Sequence, residues 1–477
     1  MWLAVMALSG CGEYARLTST QQKAGAGASI GVPVVPASGA ASVPQAGATT
    51  LPTAGRVAAP IGATTAGTTA GSAGTGIAPM LDAGAPNMPA DGGPITANGS
   101  GYKDPGQADW AKGTADECKM DPTLFKDSSI GVYAVFRYGK LCHIKGGDAA
   151  GSMFSATKTL GGTMIGRAAY LARDVPKTGP GTGPIKHEDL GTDWIASPTY
   201  PRRDATTSHI MGMVAAASPS LDDRALVWRY DTVGSEAINT MITATEKCVK
   251  QVPGLPTSAV AFVKQEIFDR MGMKSSSWER SLGIASGWTA NLSDMGKLGT
   301  LLLHDGWYGG ERLLSTEWVY RMSHPNFESA NTSYGQLAWL NHRGNAEGIG
   351  GNISTGSNAP GGDPCAPAAF WPSYPHGLSK ASDCLATAGA ATCKQMYDVG
   401  IFSAQGLNGQ FIVVHPGLDM VIAARNFSGG DGPMGLWNAI RPGIVAKDPM
   451  FKGDEAAFCA AYGGGNYAPD LVNPRHP

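Results

Sequence analysis

Two β-hairpin signals near opposite ends of the folded part, with helical periodicity between them, constrain this chain most. Gly131-Val132-Tyr133-Ala134-Val135-Phe136-Arg137-Tyr138 is rich in β-formers, Gly139-Lys140 reads as a turn, and Leu141 to Ile144 reads as a return strand. Much later, Gln410 to His415 and Leu418 to Ala424 flank Pro416-Gly417 in the same manner. Between them, the spacing predicts a helix with Thr257 or Ser258 as N-cap, running through Val260, Val263, Ile267 and Met271 and ending before Gly272. Another is expected with Ser293 as its cap, carrying Met295, Leu298 and Leu302 before Gly306. Strands at both ends with helices between imply an α+β domain. One antiparallel sheet would join the two ends, flanked by helices and holding an inserted helical subdomain.

That domain does not begin at residue 1. From Gly12 to about Gly106 the chain is Ala, Gly, Thr, Pro and Ser with almost no aromatic or large aliphatic residue. Such a composition buries too little apolar surface to offset ordering entropy, so residues 12–106 are expected to be a disordered tether and 107–477 the folded domain. A stretch rich in Gly, Pro and Cys from about 344 to 391 reads as a long surface insertion.

Ahead of the tether stands Met-Trp-Leu-Ala-Val-Met-Ala-Leu-Ser-Gly-Cys, too short an apolar run to span a bilayer. It resembles the end of a bacterial lipoprotein signal peptide, residues 1–11, with Leu8-Ser9-Gly10-Cys11 as the lipobox. By that resemblance cleavage falls before Cys11 and Cys11 receives the lipid. The basic region expected ahead of the apolar run is missing, so the true start is expected upstream of Met1. The implied location is the bacterial cell envelope, with a membrane partner reached through the lipid and the domain facing the periplasm or exterior.

Beyond Cys11 stand Cys118, Cys142, Cys248, Cys365, Cys384, Cys393 and Cys459. None is spaced C-x-x-C, and in an exported protein the expectation is disulfides, with one thiol left over. Cys118 with Cys142 and Cys384 with Cys393 are the neighbours in sequence. A formal net charge of -2 with 16% charged residues provides no basic field for nucleic acid. HExxH is absent, the nine histidines show no ligand spacing, and no Gly-rich phosphate loop follows a strand. No metal and no cofactor are therefore expected, and the partner is a small molecule.

One short motif carries chemistry. Ser155-Ala156-Thr157-Lys158 matches S-x-x-K and is followed by Leu160, Met164, Ile165, Ala168 and Ala169 at helical spacing. Residues three apart share one helix face, which brings the Lys158 amine to the Ser155 hydroxyl. Serine is a weak nucleophile until a neighbour takes its proton, and a lysine lowered by desolvation can do so. Ser100-Gly101-Tyr102-Lys103 also matches but ends the tether, with no helix behind it. Gly27-Ala28-Ser29-Ile30-Gly31 satisfies G-x-S-x-G without the strand and helix that the elbow needs.

Read together, ordered segments from Gly131 to Asn426 resemble the β-lactamase-related serine hydrolases. That family includes class C β-lactamases, D-alanyl-D-alanine carboxypeptidases, family VIII esterases and 6-aminohexanoate-dimer hydrolases. Met153 to Thr159 looks like the nucleophile segment, and Ala205 to Met213 resembles the segment that usually ends Thr-Ser-Gly-Leu. Phe268-Asp269-Arg270-Met271-Gly272-Met273 is similar to Phe-x-x-Leu-Gly-Met. Asn291 to Lys297 matches a Ser-x-x-Asp-Leu-x-Lys/Arg helix, and Gly306 to Ser315 resembles the run that follows it. The resemblance implies the β-lactamase/penicillin-binding-protein-like fold. It also makes Tyr230, in Trp228-Arg229-Tyr230-Asp231-Thr232, the base or proton relay of a Tyr-x-Asn motif in which Thr232 replaces Asn.

The third motif of the family falls on Phe402 to Gln410, similar to an Ala-x-Gly-x-x-Gly-Gln form, with Ala404 where β-lactamases carry a cation. Gln405, Gly406 and Leu407 are the implied substrate and oxyanion region. Loss of the cation argues against β-lactams as the main substrate, unless Arg425 or another arginine of the cleft replaces it. The leading reading is a serine hydrolase that cleaves a small ester or amide through an acyl-enzyme on Ser155. The alternative is a non-catalytic, envelope-tethered module that binds or senses cell-wall fragments on the same fold.

Overall fold

The computed structural model describes residues 103–126, 131–196, 202–216, 220–221, 226–324, 326–327, 330, 334–340, 401–428, 432–449, 451 and 453. Cys11 and the lipobox, the tether up to 102, the insertion at 344–391 and the Cys384–Cys393 pairing lie outside them.

The strands are β1 (Val132–Arg137), β2 (Lys140–Lys145), β3 (Gly151–Ser152), β4 (Ser277–Trp278), β5 (Trp288–Ala290), β6 (Trp307–Tyr308), β7 (Glu311–Arg312), β8 (Trp339–Leu340), β9 (Phe402–Gly406), β10 (Gln410–His415) and β11 (Met420–Arg425). Six of them form an open antiparallel sheet in the order β2-β1-β11-β10-β9-β8. The first hairpin thus pairs directly with the last, Val132 opposite Arg425 and Arg137 opposite Met420. This is the α+β architecture expected from the two hairpin signals. A second sheet, β3-β5-β4, is small but consequential, because β3 leads straight into the Ser155 turn.

Both faces of the large sheet are covered, and the two-residue period of a strand sorts its side chains between them. Ala134, Phe136, Ile412, Val414, Val421 and Ala423 enter one core, shared with the helices between the hairpins. Tyr133, Val135, Phe411, Val413, Ile422 and Ala424 enter another, built against Leu436, Trp437, Ile440 and Ile444 of the C-terminal helix Gly432–Lys447. Each of the Val, Ile, Leu and Phe side chains contributes roughly 1.5–3 kcal/mol by burial. The buried Arg137 joins this helical layer to the sheet, donating to Asp448 at 2.6 Å and to the Leu418 carbonyl at 2.8 Å.

Among the helices in the middle of the chain are α1 (Thr157–Leu171), α2 (Thr232–Asn239), α3 (Met241–Val249), α4 (Ala259–Val263) and α5 (Leu292–Leu303). Two expectations are corrected. Ser258 does cap α4, but Val260 is 39% exposed, and α4 passes at Lys264–Asp269 into a π-helix. The wider turns shift the phase of the buried face, so that Glu266 points inward to Arg167 at 2.8 Å. A buried ion pair sets the rotation here, which a hydrophobic period does not register. The cap of α5 is Asn291 rather than Ser293: the Asn291 side chain accepts from the Asp294 N–H at 2.9 Å. Ser293 instead donates its hydroxyl to Asp148 at 2.5 Å, and that carboxylate also accepts the Leu292 N–H at 2.6 Å.

Cys118 and Cys142 form a disulfide across 24 residues, which restricts the unfolded chain by on the order of 3 kcal/mol. Among the described residues Cys248 is a buried thiol without a disulfide. The segment ahead of residue 107 already packs on the domain, with Asp104 accepting the Gly309 N–H at 2.9 Å and the Gly106 carbonyl accepting the Tyr308 hydroxyl at 3.1 Å.

Candidate active site

Ser155 lies in a single 3-10 turn, Phe154–Ala156, that runs into α1. The turn is held on both sides: Met153 N–H donates to the Trp288 carbonyl at 2.8 Å, and Trp288 N–H donates to the Thr157 hydroxyl at 3.1 Å. Phe154 is forced to φ 46, a left-handed conformation that costs a non-glycine residue about 1–3 kcal/mol. That strain sits one residue before the serine. Helix α1 is then buried on nearly all sides, so its first turn is fixed by packing rather than by an amphipathic stripe.

The S-x-x-K geometry follows. Lys158, 3% exposed, places its Nζ 3.1 Å from Ser155 Oγ and donates at 3.1 Å to the Ala285 carbonyl. The same Nζ lies 4.5 Å from the centroid of the Tyr230 ring. Three sequence-identified residues are therefore in one place, although they come from a turn, a helix and a loop. Tyr230 stands just ahead of α2, whose N-cap Asp231 accepts the Gly234 N–H at 3.0 Å. Thr232 is the exposed first residue of that helix, and none of the described hydrogen bonds joins it to Lys158.

Around Tyr230 is a group of rings that the sequence reading did not single out. Trp228 stacks on it at 5.5 Å, Trp339 lies at 5.1 Å and Tyr334 at 6.2 Å. Among the described residues the buried Tyr334 hydroxyl has no hydrogen-bond partner, and such a group costs roughly 1–3 kcal/mol. Burial, and then the neighbouring Tyr230, pushes it well above the ordinary tyrosine range. Trp228 was visible as the aromatic two residues before Tyr230. Tyr334 and Trp339 carry no such signal, because only the isolated bridge between them and the pairing of β8 with β9 bring them to the site.

The third segment reaches the site with its backbone. A Cβ on Gly406 would stand 2.1 Å from the Met153 carbonyl oxygen and 3.1 Å from the Ala156 nitrogen, so β9 approaches the serine turn as only glycine allows. Gln405 turns to the other face of β9 and donates to the Ser403 hydroxyl at 3.0 Å. Leu407 is 51% exposed in the turn after β9. Ala404 is buried, and Arg425, the cation named from the sequence in place of the missing charge, donates to the Ala149 carbonyl. Burial pushes Arg425 down from the usual arginine range, opposed by Asp148. Among the described residues no cluster of His, Cys, Asp and Glu has the arrangement to hold a metal ion.

No protein-family profile matches the chain, and no curated protein matches it. Solved structures do match, and many are β-lactamase-like, penicillin-binding-protein-like, aminohexanoate-dimer hydrolase or family VIII esterase proteins. A candidate β-lactamase from Bacteroides dorei has 12% identity and a TM-score of 0.43, covering 67% of this chain and 94% of its own. A candidate 6-aminohexanoate-dimer hydrolase from Bacillus anthracis has 13% identity and a TM-score of 0.42, covering 74% and 90%. A D-stereospecific amidohydrolase from a Streptomyces species has 11% identity and a TM-score of 0.38, covering 69% and 97%. At these values the likeness assigns no residue and no activity to this chain.

Proposed function

We propose that this protein is a serine hydrolase that cleaves a small ester or amide by way of an acyl-enzyme on Ser155. The observation that carries the reading is the position of the Lys158 amine, 3.1 Å from the Ser155 hydroxyl and against the Tyr230 ring. A neutral Lys158 amine keeps one N–H on the Ala285 carbonyl and turns its lone pair toward Ser155 Oγ–H. The serine oxygen attacks the substrate carbonyl carbon while its proton moves to Lys158, with Tyr230 sharing the relay. Collapse of the tetrahedral adduct breaks the bond to the alcohol or amine, which leaves with that proton. Water then attacks the acyl-serine by the reverse route, releasing the acid and restoring the hydroxyl. Main-chain N–H groups of Ser155 and of a residue beside Gly406 receive the developing oxyanion. The close approach of Gly406 to the serine turn supports that pairing.

A fluorophosphonate probe tests the reading, since it phosphonylates an activated serine. Labelling of the wild-type protein and none of Ser155→Ala is the expected result. An unlabelled, folded wild-type protein would leave the binding-module reading in its place. Lipidation of Cys11 belongs to the same proposal and rests on the Leu8-Ser9-Gly10-Cys11 lipobox. Metabolic labelling with an alkynyl fatty acid is expected to mark the wild-type chain and not Cys11→Ser.

A further inference from the structure

The Lys158 amine is aimed by a backbone carbonyl, and what fixes that carbonyl is a side chain on another helix. Asn239, the last residue of α2, accepts two main-chain N–H groups with its Oδ1, from Ile284 at 2.9 Å and from Ala285 at 3.2 Å. Ala285 is the residue whose carbonyl accepts from Lys158 at 3.1 Å. The loop makes room for this contact. Gly283 lies at φ +69, and a Cβ there would stand 2.2 Å from Asn239 Oδ1. From the opposite side Ile284 packs into α1, its Cβ 2.7 Å from where a Cβ on Gly161 would be. The segment 283–285 is thus gripped between α2 and the helix that carries Lys158.

We infer that Asn239 is a positioning residue for the Ser155–Lys158 pair, acting through the Ala285 main chain; the inference rests on the serine hydrolase reading above. Helix α2 then serves the site at both ends, with Tyr230 just ahead of its first turn and Asn239 as its last residue. Removing the acceptor leaves two N–H groups unpaired and lets the Ala285 carbonyl drift. A misplacement of about 1 Å at a reacting pair can cost on the order of a hundredfold in rate.

The test uses the full chain and hydrolysis of p-nitrophenyl acetate by the wild type, Ser155→Ala, Asn239→Leu, Asn239→Asp and Gly283→Ala. Asn239→Leu is expected to lower kcat about tenfold or more with KM within about threefold, the pattern of a lost transition-state arrangement rather than lost binding. Asn239→Asp retains an acceptor for both N–H groups, and is expected to keep kcat within about fivefold at its own pH optimum. Gly283→Ala, which disturbs the contact from the loop side, is expected to fall with the leucine variant, and it decides the matter if the leucine variant does not fold. A folded Asn239→Leu with wild-type kcat, or an aspartate variant as impaired as the leucine variant, would overturn the inference. Should Ser155→Ala be inactive beside a fully active Asn239→Leu, this inference alone fails. Turnover surviving in Ser155→Ala would overturn the hydrolase reading and this inference with it.

Discussion

Two buried lysines, each in a matched motif, teach what burial does and does not imply. Lys158 is 3% exposed and Lys297 is 2% exposed. Lys158 meets a hydroxyl and a carbonyl. Lys297, in α5, donates to two carbonyls, Ala108 and Gly272, both at 2.8 Å. One turn earlier Asp294 accepts the Ser275 N–H at 2.8 Å and the Ser276 hydroxyl at 3.0 Å. Carbonyls offer no proton to exchange, so Lys297 ties three chain segments together, whereas Lys158 stands where a hydroxyl proton can move. Burial pushes Lys297 below the usual lysine range and Asp294 above the usual carboxylate range. A buried, motif-matched lysine is thus a functional candidate only when its partner can lose a proton.

The strongest way to break the comparison is at the serine. Ser155→Ala is expected to lower turnover of a p-nitrophenyl short-chain ester by at least about a thousandfold. Its thermal melt should stay within a few degrees, because the side chain is only partly buried. Unchanged turnover would remove the distinction between the two lysines.

Next come the proton-handling groups. Lys158→Ala and Tyr230→Phe are each expected to cost about a hundredfold or more in kcat, and the double variant far less than the product, since in the proposed mechanism both serve one transfer. Purely multiplicative losses would mean that the two act independently.

Substrate charge sharpens the same site. On the proposed reading Ala404 is buried where the resemblance implies a cation, and Arg425, the cation named from the sequence to replace it, donates to the Ala149 carbonyl. We expect kcat/KM for a neutral short-chain ester to exceed that for nitrocefin by about a hundredfold. Steady-state kinetics on one preparation, with nitrocefin turned over equally well, would reverse that expectation.

Lys297 should behave oppositely to Lys158. Lys297→Met strands two buried carbonyls and is expected to cost about 2–4 kcal/mol in urea unfolding. Its kcat should stay within about threefold of wild type. The smallest effect is electrostatic. Because burial raises Asp294 in the folded state, the stability it contributes is present below about pH 3.8 and is lost as pH rises through its higher folded value. Asn at this position still accepts both hydrogen bonds, so Asp294→Asn should gain stability on the wild type as pH rises from acid to neutral. Unfolding free energies of both proteins at pH 4 and pH 7 check this, and a constant difference would refute it.

What the sequence determined by itself is local. Continuous runs of apolar β-formers set β1, β10 and β11, because a period of two sends successive side chains into two different cores. The three-residue step from Ser155 to Lys158 set their distance, because a helical turn brings such residues together whatever surrounds them. Pairings and phases were decided only in three dimensions. The rotation of the helix after Ser258 depends on Glu266 meeting Arg167, ninety-nine residues away, and the cap of α5 depends on Asp148 occupying Ser293. Ala285 and Asn239 were beyond reach for the same reason. A carbonyl is present at every residue, and the value of this one comes from the fold carrying the end of α2 and the start of α1 to the same loop.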